Sequence, residues 1–222
     1  MYLFADRAEA GRRLAEALGA FANEPGAVVL ALPRGGVPVG YEVALRLGLA
    51  LDVYLVRKLG VPGREELAMG AIAGDGTCVI DRELVDSLQI SEADIERAVR
   101  RETAELRRRE LAYRDVRPRV ALDGVSTILV DDGLATGATM RAAVLSLRVS
   151  HPAKIVVAVP VAAAQTCAML ESLVDAVVCL YSPEPFGAVG FYYHNFEQTT
   201  DEQVRELLAR AGSGETGRRI SA

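Results

Sequence analysis

STILVDDGLATGATM, residues 126–140, is the stretch that decides how this chain folds. Its apolar start is typical of a strand buried on both faces, and two acidic residues, Asp131 and Asp132, follow directly. Small residues then lead into a helix, whose N-terminus carries about half a positive charge and presents backbone N–H groups to an anion. The stretch therefore predicts a phosphate site beside two carboxylates that can accept hydrogen bonds from sugar hydroxyls. The alternative is an ordinary strand-turn-helix unit whose carboxylates only cap the helix.

Strands and helices alternate on both sides of this stretch. Short apolar runs predict strands at Ala27–Leu32, Leu51–Val56, Thr77–Ile80, Ser126–Val130, Lys154–Val161 and Ala176–Leu180. Apolar residues at helical spacing predict helices at 6–20, 39–47, 91–114, 164–173 and 201–211, and a further helix that ends at Arg148. This alternation is typical of an α/β fold with a doubly wound, mostly parallel sheet.

The composition is that of an ordinary globular domain. The chain has 222 residues, 50% hydrophobic and 25% charged, so we expect a single domain over residues 1–211. A net charge of −5 argues against general binding to DNA or to anionic membranes. The apolar runs are shorter than the ~20 residues that span a bilayer. Three scattered cysteines fit a reducing cytoplasm, which is the expected location.

Two further segments carry groups that can bind anions. The sequence LPRGG at 32–36 ends the first predicted strand with a glycine turn, and Arg57-Lys58 ends the second. Taken alone, the first segment is an ordinary tight turn and the second a solvated strand end. Lys58, however, is one of only two lysines in the chain, which makes it a candidate for closer inspection.

Residues 128–140 resemble the phosphoribosyl pyrophosphate (PRPP) loop of type I phosphoribosyltransferases. Apolar, acidic and small residues occur there in the family's order, at the expected strand-to-helix junction. The glycine turn at 32–36 and the Arg57-Lys58 pair resemble the family's pyrophosphate contacts in their order along the chain. The resemblance covers about residues 27–180 and implies the family fold, a doubly wound sheet with a small hood.

The resemblance also implies roles for individual residues. Asp131 and Asp132 would hold the ribose hydroxyls and, with Lys58, would be the catalytic residues. The ribose 5′-phosphate would be bound by the loop residues Gly133, Ala135, Thr136, Gly137, Ala138 and Thr139. The pyrophosphate would be bound by Arg34, Gly35, Gly36, Arg57 and Lys58.

The activity that the resemblance implies is transfer of the 5-phosphoribosyl group of PRPP to a nitrogenous base, with release of pyrophosphate. Mg²⁺ would be the cofactor, held mainly by PRPP, and no protein residue is assigned as its ligand. PRPP and the base would be the partners of a homodimer. The alternative is a regulatory protein that senses PRPP or a nucleotide without turnover. Ala135 stands where the hypoxanthine-guanine enzymes carry an aspartate, and this loop is closer to the adenine and orotate members.

Four segments remain outside these assignments. Residues 59–76 are rich in glycine and acids, and we expect a mobile loop that closes over the site and carries Glu65 and Glu66. The helix at 91–114 is expected to be an insertion that faces solvent or another subunit. Aromatic residues at 181–196 predict a hood, in which Tyr181, Phe186 and Phe191 are candidates for stacking on the base. A hydrophobic cap or a dimer contact is the alternative for this segment, and residues 212–222 are expected to form a flexible tail.

Overall fold

Two sheets form the framework of the computed structural model, which describes residues 2–114 and 119–212. In chain order the strands are β1 (Val28–Ala31), β2 (Ala50–Val53), β3 (Val56–Val61), β4 (Arg64–Ala73), β5 (Cys78–Ile80), β6 (Ser126–Val130), β7 (Lys154–Val161) and β8 (Ala176–Tyr181). The first sheet is parallel, in the order β2-β1-β6-β7-β8, and the second is antiparallel, in the order β3-β4-β5. The predicted tail at 212–222 lies outside the described residues, apart from Gly212.

Helices cover both faces of the parallel sheet. The described residues form α1 (Arg7–Ala17), α2 (Gly36–Leu47), α3 (Arg82–Ser87), α4 (Glu92–Arg114), α5 (Ala138–Arg148), α6 (Ala164–Glu171) and α7 (Asp201–Arg210). Helices α1 and α2 pack on one face, and α5 and α6 on the other. The predicted doubly wound α/β fold is therefore confirmed. Within the described part of the chain, no helix combines the length and the apolar character needed to cross a membrane.

Alternation along the strands explains why both faces of this sheet are apolar. Val29 and Ile128 face α1 and α2, whereas their neighbours Leu30 and Leu129 face α5 and α6, and all four are at most 2% exposed. Full burial of such a side chain stabilises the fold by about 1.5 to 3 kcal/mol. Strands buried on both faces read as continuous apolar runs, which is why the sequence located them correctly.

Residues 51–76 differ from the two predictions made for them. The apolar run 51–56 is not one strand, because β2 ends at Val53 and Val56 already pairs with Ala73 in the second sheet. The segment 59–76 is not an irregular loop, since most of it belongs to the antiparallel hairpin β3-β4, and Glu65 lies on β4. The side chain of Glu66 lies outside the described part of the structure.

The predicted helix at 91–114 is present as α4, but its surroundings differ from the prediction. Ile95, Leu106 and Tyr113 are buried in a core shared with β3, β4 and α7 of the same chain. The apolar stripe of α4 therefore packs within its own chain, while the ion pair of Arg100 with Glu96 on the same helix is exposed to solvent. Helix α3, which precedes it, was not predicted.

The aromatic segment after β8 folds together with the N-terminus. Phe4 forms a bridge with Tyr193, and both side chains are at most 2% exposed. The N–H groups of His194 and Asn195 donate to the carbonyl oxygens of Phe4 and Ala5. Much of the segment 181–196 is thus a hydrophobic cap, the alternative given for it above, and this cap holds the start of α1 beside the ends of β6 and β7.

Candidate active site

Two helix N-termini meet at the carboxyl edge of the parallel sheet. Asp131 and Asp132 follow β6, α5 begins at Ala138 on the same connection, and α2 begins at Gly36 after the neighbouring strand β1. Because the carboxyl ends of parallel strands lie together, the turn at 32–36 is brought against the two carboxylates. This crevice is the position at which open α/β sheets bind ligands.

The glycine turn approaches the carboxylates so closely that no side chain fits there. A Cβ atom on Gly35 would lie 2.0 Å from the Oδ2 atom of Asp132, and one on Gly36 would lie 2.7 Å from the carbonyl oxygen of Val130 and 2.9 Å from the Cα of Asp131. The turn is held in place by the N–H of Leu32, which donates to the carbonyl oxygen of Val130 at 2.9 Å. The glycines are therefore required for the packing of this site.

The variant Gly36→Ala tests this close approach. Its methyl group would meet the backbone of β6, which cannot move aside as a flexible side chain could. We expect a loss of about 1 to 3 kcal/mol in the free energy of unfolding, measured by chemical denaturation. Gly19→Ala is the matched control, because a Cβ on Gly19 has no neighbour within 4 Å. Equal stability of the two variants would contradict the packing described.

Asp132 is held by an arginine from the start of α1. The Nε of Arg7 donates to the Oδ2 of Asp132 at 2.8 Å, and the two side chains are 12% and 14% exposed. Arg7 also donates to the carbonyl oxygen of Glu197 and lies 3.9 Å from the ring centre of Phe196. Burial raises the pKa of Asp132, and Arg7 opposes that rise.

Asp131 has no such cation bonded to its carboxylate among the described residues. Its Oδ1 accepts a hydrogen bond from the backbone N–H of Asp132 at 2.9 Å. Burial, and then the neighbouring charge of Asp132, raise the pKa of Asp131 well above its ordinary value. Two adjacent buried carboxylates are thus kept at the sheet edge at a cost in stability, which is common where residues are arranged for binding or chemistry.

The loop between β6 and α5 is fixed by hydrogen bonds to β7 and α6. The N–H of Leu134 donates to the carbonyl oxygen of Val161 at 2.9 Å, and the hydroxyl of Thr166 donates to that of Ala135 at 2.5 Å. Gly137 is the N-cap residue of α5, and no side chain caps this helix. The predicted phosphate-binding residues therefore surround a helix N-terminus, which favours an anion.

A cleft of about 400 Å³ opens beside this loop, between the β3-β4 hairpin and α4. Four cations and two acids line it: Arg57, Lys58, Arg101, Arg109, Glu65 and Glu102. We call it the cationic cleft. Pro33 of the glycine turn and Thr139 of the phosphate loop also line it, so the cleft is continuous with both predicted phosphate-binding segments.

Glu102 is a buried carboxylate that binds two of the arginines of the cationic cleft. Its side chain is 8% exposed and accepts hydrogen bonds from the Nε of Arg57 at 2.7 Å and from the Nε of Arg101 at 2.8 Å. Burial raises the pKa of Glu102, but these hydrogen bonds outweigh burial and the pKa is lowered overall. Glu102 is therefore charged and holds two guanidinium groups at one edge of the cleft.

Arg34, another predicted pyrophosphate contact, points toward α7. One of its terminal nitrogens lies 3.5 Å from the Oδ1 of Asp201, which also accepts a hydrogen bond from the hydroxyl of Tyr113 at 2.6 Å. The Tyr113 hydroxyl is the main cause that lowers the pKa of Asp201. Arg34 thus lies outside the cationic cleft, although its neighbour Pro33 lines it.

The three candidate aromatic residues lie in different surroundings. Phe186 lines an open groove of about 750 Å³ that reaches Ala135 of the phosphate loop and also contains Gln165 and Glu184. Tyr181 instead contacts Phe4 and accepts a hydrogen bond from Arg13. Phe191 is 69% exposed. Of the three, Phe186 is the one that the fold places beside the phosphate loop.

Sequence reasoning missed three residues that shape this site: Arg7, Glu102 and Tyr193. The hydroxyl of Tyr193 donates to the carbonyl oxygen of Asp132 at 2.6 Å. Each of the three comes from a segment far from residues 131–139 in the sequence, and no local pattern connects them. The one available signal was the concentration of aromatic residues around Tyr193.

Comparison with known proteins agrees with this architecture. The family model for the phosphoribosyl transferase domain matches residues 5–194. The chain belongs to the phosphoribosyltransferase family. Within that family, it is 45% identical over 211 residues to a Mycobacterium tuberculosis protein named "Putative phosphoribosyl transferase Rv0571c", and equally so to the protein named "Putative phosphoribosyl transferase MT0597" from another strain. These alignments cover 95% of this chain, which spans about half (47%) of the length of these relatives.

A solved structure has the same fold as this phosphoribosyltransferase chain. The crystal structure of the protein TT1426 from Thermus thermophilus is similar to it with a TM-score of 0.87 and 44% sequence identity. The match covers 95% of this chain and 99% of that one. Both the fold and the family therefore agree with the resemblance seen in residues 128–140.

Proposed function

We propose that this phosphoribosyltransferase chain transfers the 5-phosphoribosyl group of PRPP to a nitrogenous base and releases pyrophosphate. The observation that carries the proposal is that residues 133–139, which follow the carboxylate pair directly in the chain, border the cationic cleft through Thr139 in the first turn of α5. A ligand with a phosphate at one end, a sugar in the middle and a pyrophosphate at the other matches this order of groups.

The loop at 133–139 binds the 5′-phosphate in this proposal. Backbone N–H groups at the start of α5 and the hydroxyls of Thr136 and Thr139 donate hydrogen bonds to the phosphate oxygens. Asp131 and Asp132 accept hydrogen bonds from the ribose hydroxyls, and their negative charge stabilises positive charge that develops on the sugar ring. The ion pair with Arg7 fixes the orientation of Asp132 for this task.

The cationic cleft binds the leaving pyrophosphate. Arg57 and Lys58 neutralise the charge that accumulates on it as the bond between C1 and the pyrophosphate oxygen breaks and the bond between C1 and the base nitrogen forms. Mg²⁺, as a hard cation that prefers oxygen ligands, would be held mainly by the oxygens of PRPP in this proposal. When bound, Mg²⁺ would lower the charge of the departing group.

The groove lined by Phe186 is where we place the acceptor base. It reaches Ala135, and so lies beside the sugar end of the phosphate loop. The ring of Phe186 can stack on a flat heterocycle, and the side chains of Gln165 and Glu184 can hydrogen-bond to its edge. This arrangement supports a nitrogenous base as acceptor without selecting one.

Calorimetric titration with PRPP and Mg²⁺ tests the proposal. We expect saturable binding of PRPP, and weaker binding of ribose 5-phosphate, which lacks the pyrophosphate. If neither PRPP nor ribose 5-phosphate binds, the proposed function is contradicted. PRPP binding without pyrophosphate release in the presence of adenine, guanine, hypoxanthine, xanthine, uracil or orotate would favour the alternative, a sensor without turnover.

Lys58→Ala is expected to slow transfer about a hundredfold, because one preorganised cation at the leaving group is lost. Binding of ribose 5-phosphate should change little, since Lys58 lines the cationic cleft and not the phosphate loop. Steady-state kinetics and calorimetry measure the two effects separately. Lys154→Ala is the control, because the second lysine starts β7 at the opposite edge of the sheet and lies over the ring of Phe21. Equal losses in transfer and in ribose 5-phosphate binding would place Lys58 elsewhere in the site.

A further inference from the structure

Helix α4 supplies half of the cations in the cationic cleft. Arg57 and Lys58 come from β3, whereas Arg101 and Arg109 come from α4, which was expected from the sequence to be an insertion that faces solvent or another subunit. The cleft is thus closed on one side by a helix and on the other by the hairpin. Its cations outnumber its carboxylates, although the whole chain carries a net charge of −5.

Arg101 is held at the mouth of this cleft by contacts on both sides. Its Nε donates to the buried carboxylate of Glu102, and its Nη2 lies 3.6 Å from the Oε2 of Glu65 on the hairpin. Glu102 also holds Arg57, so two guanidinium groups from different elements share one buried anchor. A planar guanidinium bonded through Nε keeps other N–H donors for a phosphate ligand.

The neighbouring arginine on α4 has a different environment. Arg100 pairs with Glu96 one turn back on the same helix at 3.2 Å, and both side chains are 66% exposed. Such an exposed pair contributes little to stability, and neither residue lines the cationic cleft. Arg101 and Arg109 line the cleft and Arg100 does not, so only one face of α4 borders it.

We propose that Arg101 of α4 is a binding residue for the pyrophosphate end of the substrate and acts together with Arg57, so that α4 is part of the active site. The inference rests on the proposed function and extends it to a helix outside the phosphate loop and the glycine turn. Glu65 and Glu102 hold the guanidinium group in place before the ligand arrives, and a diphosphate with bound Mg²⁺ then bonds to its remaining donors.

The test is calorimetric titration of inorganic pyrophosphate with Mg²⁺, and separately of ribose 5-phosphate, into the wild type, Arg101→Ala, Arg101→Lys and Arg100→Ala. Arg101→Ala should weaken pyrophosphate binding about tenfold, as expected for hydrogen bonds to a charged group at a partly exposed site. Its ribose 5-phosphate affinity should stay within about twofold of the wild type, and Arg100→Ala should change neither affinity by more than about twofold. Arg101→Lys should recover part of the loss, because it keeps the charge without the planar donors.

The outcomes separate this inference from the function on which it rests. If Arg101→Ala and Arg100→Ala bind pyrophosphate equally well, the role of Arg101 is disproved while the proposed function stands. If Arg101→Ala weakens both ligands to the same degree, it acts on the structure as a whole and the inference also fails. If the wild type binds neither ligand, the proposed function itself is contradicted. Thermal unfolding of each variant shows whether it is folded in these titrations.

Discussion

The double variant Asp131→Asn/Asp132→Asn is expected to bind PRPP about 2 to 6 kcal/mol more weakly than the wild type, which is the largest effect on binding that the proposal predicts. Each carboxylate accepts hydrogen bonds from ribose hydroxyls in that proposal, and loss of one charged hydrogen bond costs about 1 to 3 kcal/mol. The two asparagines keep the shape of the site and remove its charge. Calorimetry with PRPP and Mg²⁺ measures the change in affinity.

Asp123→Asn is the control for this variant. Asp123 is an exposed acid in the loop before β6, so its replacement removes the same kind of charge without touching the site. Pyrophosphate binding should be retained in the double variant, because the cationic cleft does not contain either aspartate. PRPP affinity that is unchanged in the double variant would contradict the assignment of residues 131–132 to the sugar.

Arg7→Ala is expected to lower the free energy of unfolding by about 3 to 5 kcal/mol near pH 7, the largest effect on stability. Its side chain and that of Asp132 form a pair that is mostly buried, and removing one partner leaves an uncompensated charge. Denaturant unfolding measures the loss. Arg12→Ala on the same helix is the control, because Arg12 is 41% exposed and its nearest carboxylate oxygen, on Glu42, is 3.9 Å away. That pair should contribute less than about 1 kcal/mol.

The deficit of Arg7→Ala should depend on pH in a defined direction. Burial raises the pKa of both Asp131 and Asp132 in the folded protein above the ordinary value. A carboxyl whose pKa is higher in the folded protein than in the unfolded chain stabilises the fold when the pH is below its pKa in the unfolded chain. That contribution is lost as the pH rises through its pKa in the folded protein. Without Arg7 this rise in pKa is larger, so the deficit should be greatest at neutral pH and shrink as the carboxylates are protonated on acidification. A deficit that is constant with pH would mean that Arg7 acts through its packing on Phe196 alone.

The sequence predicted β1, β6 and β7, the three inner strands of the parallel sheet, because they are buried on both faces. Neighbouring residues such as Ile128 and Leu129 face opposite helix layers, so both must be apolar. The resulting apolar runs can be recognised from the sequence alone. The loop at 131–139 was also predicted correctly as a strand-to-helix junction, since acidic and small residues in that order have few other uses.

The hairpin β3-β4 escaped prediction for a physical reason. Its register shifts around Gly60, so apolar and polar residues do not alternate along β3 as they would in a regular half-buried strand. A turn signal was nevertheless present, because Pro62-Gly63 places proline before a glycine with a φ of 73°. The apolar run 51–56 misled in the same region, since it continues across the passage from one sheet to the other.

Arg7 and Glu102 could not be found from sequence because their partners are distant. Arg7 contacts Asp132 across 125 positions, and Glu102 contacts Arg57 across 45. Each lies on a helix rich in other charges, where a solvated surface is the usual explanation for an arginine or glutamate. Only the packing of α1 on a face of the parallel sheet, and of α4 on the hairpin β3-β4, distinguishes Arg7 and Glu102 from their neighbours.

Pyrophosphate release from PRPP in the presence of Mg²⁺ and each of the six bases tests the central claim most directly. We predict release that depends on one or a few of the bases, that is lost in Asp131→Asn/Asp132→Asn and slowed in Lys58→Ala, and that is retained in Lys154→Ala. Release from the double aspartate variant at the wild-type rate would contradict the account, because the chemistry would then take place without the carboxylates around which the site is built.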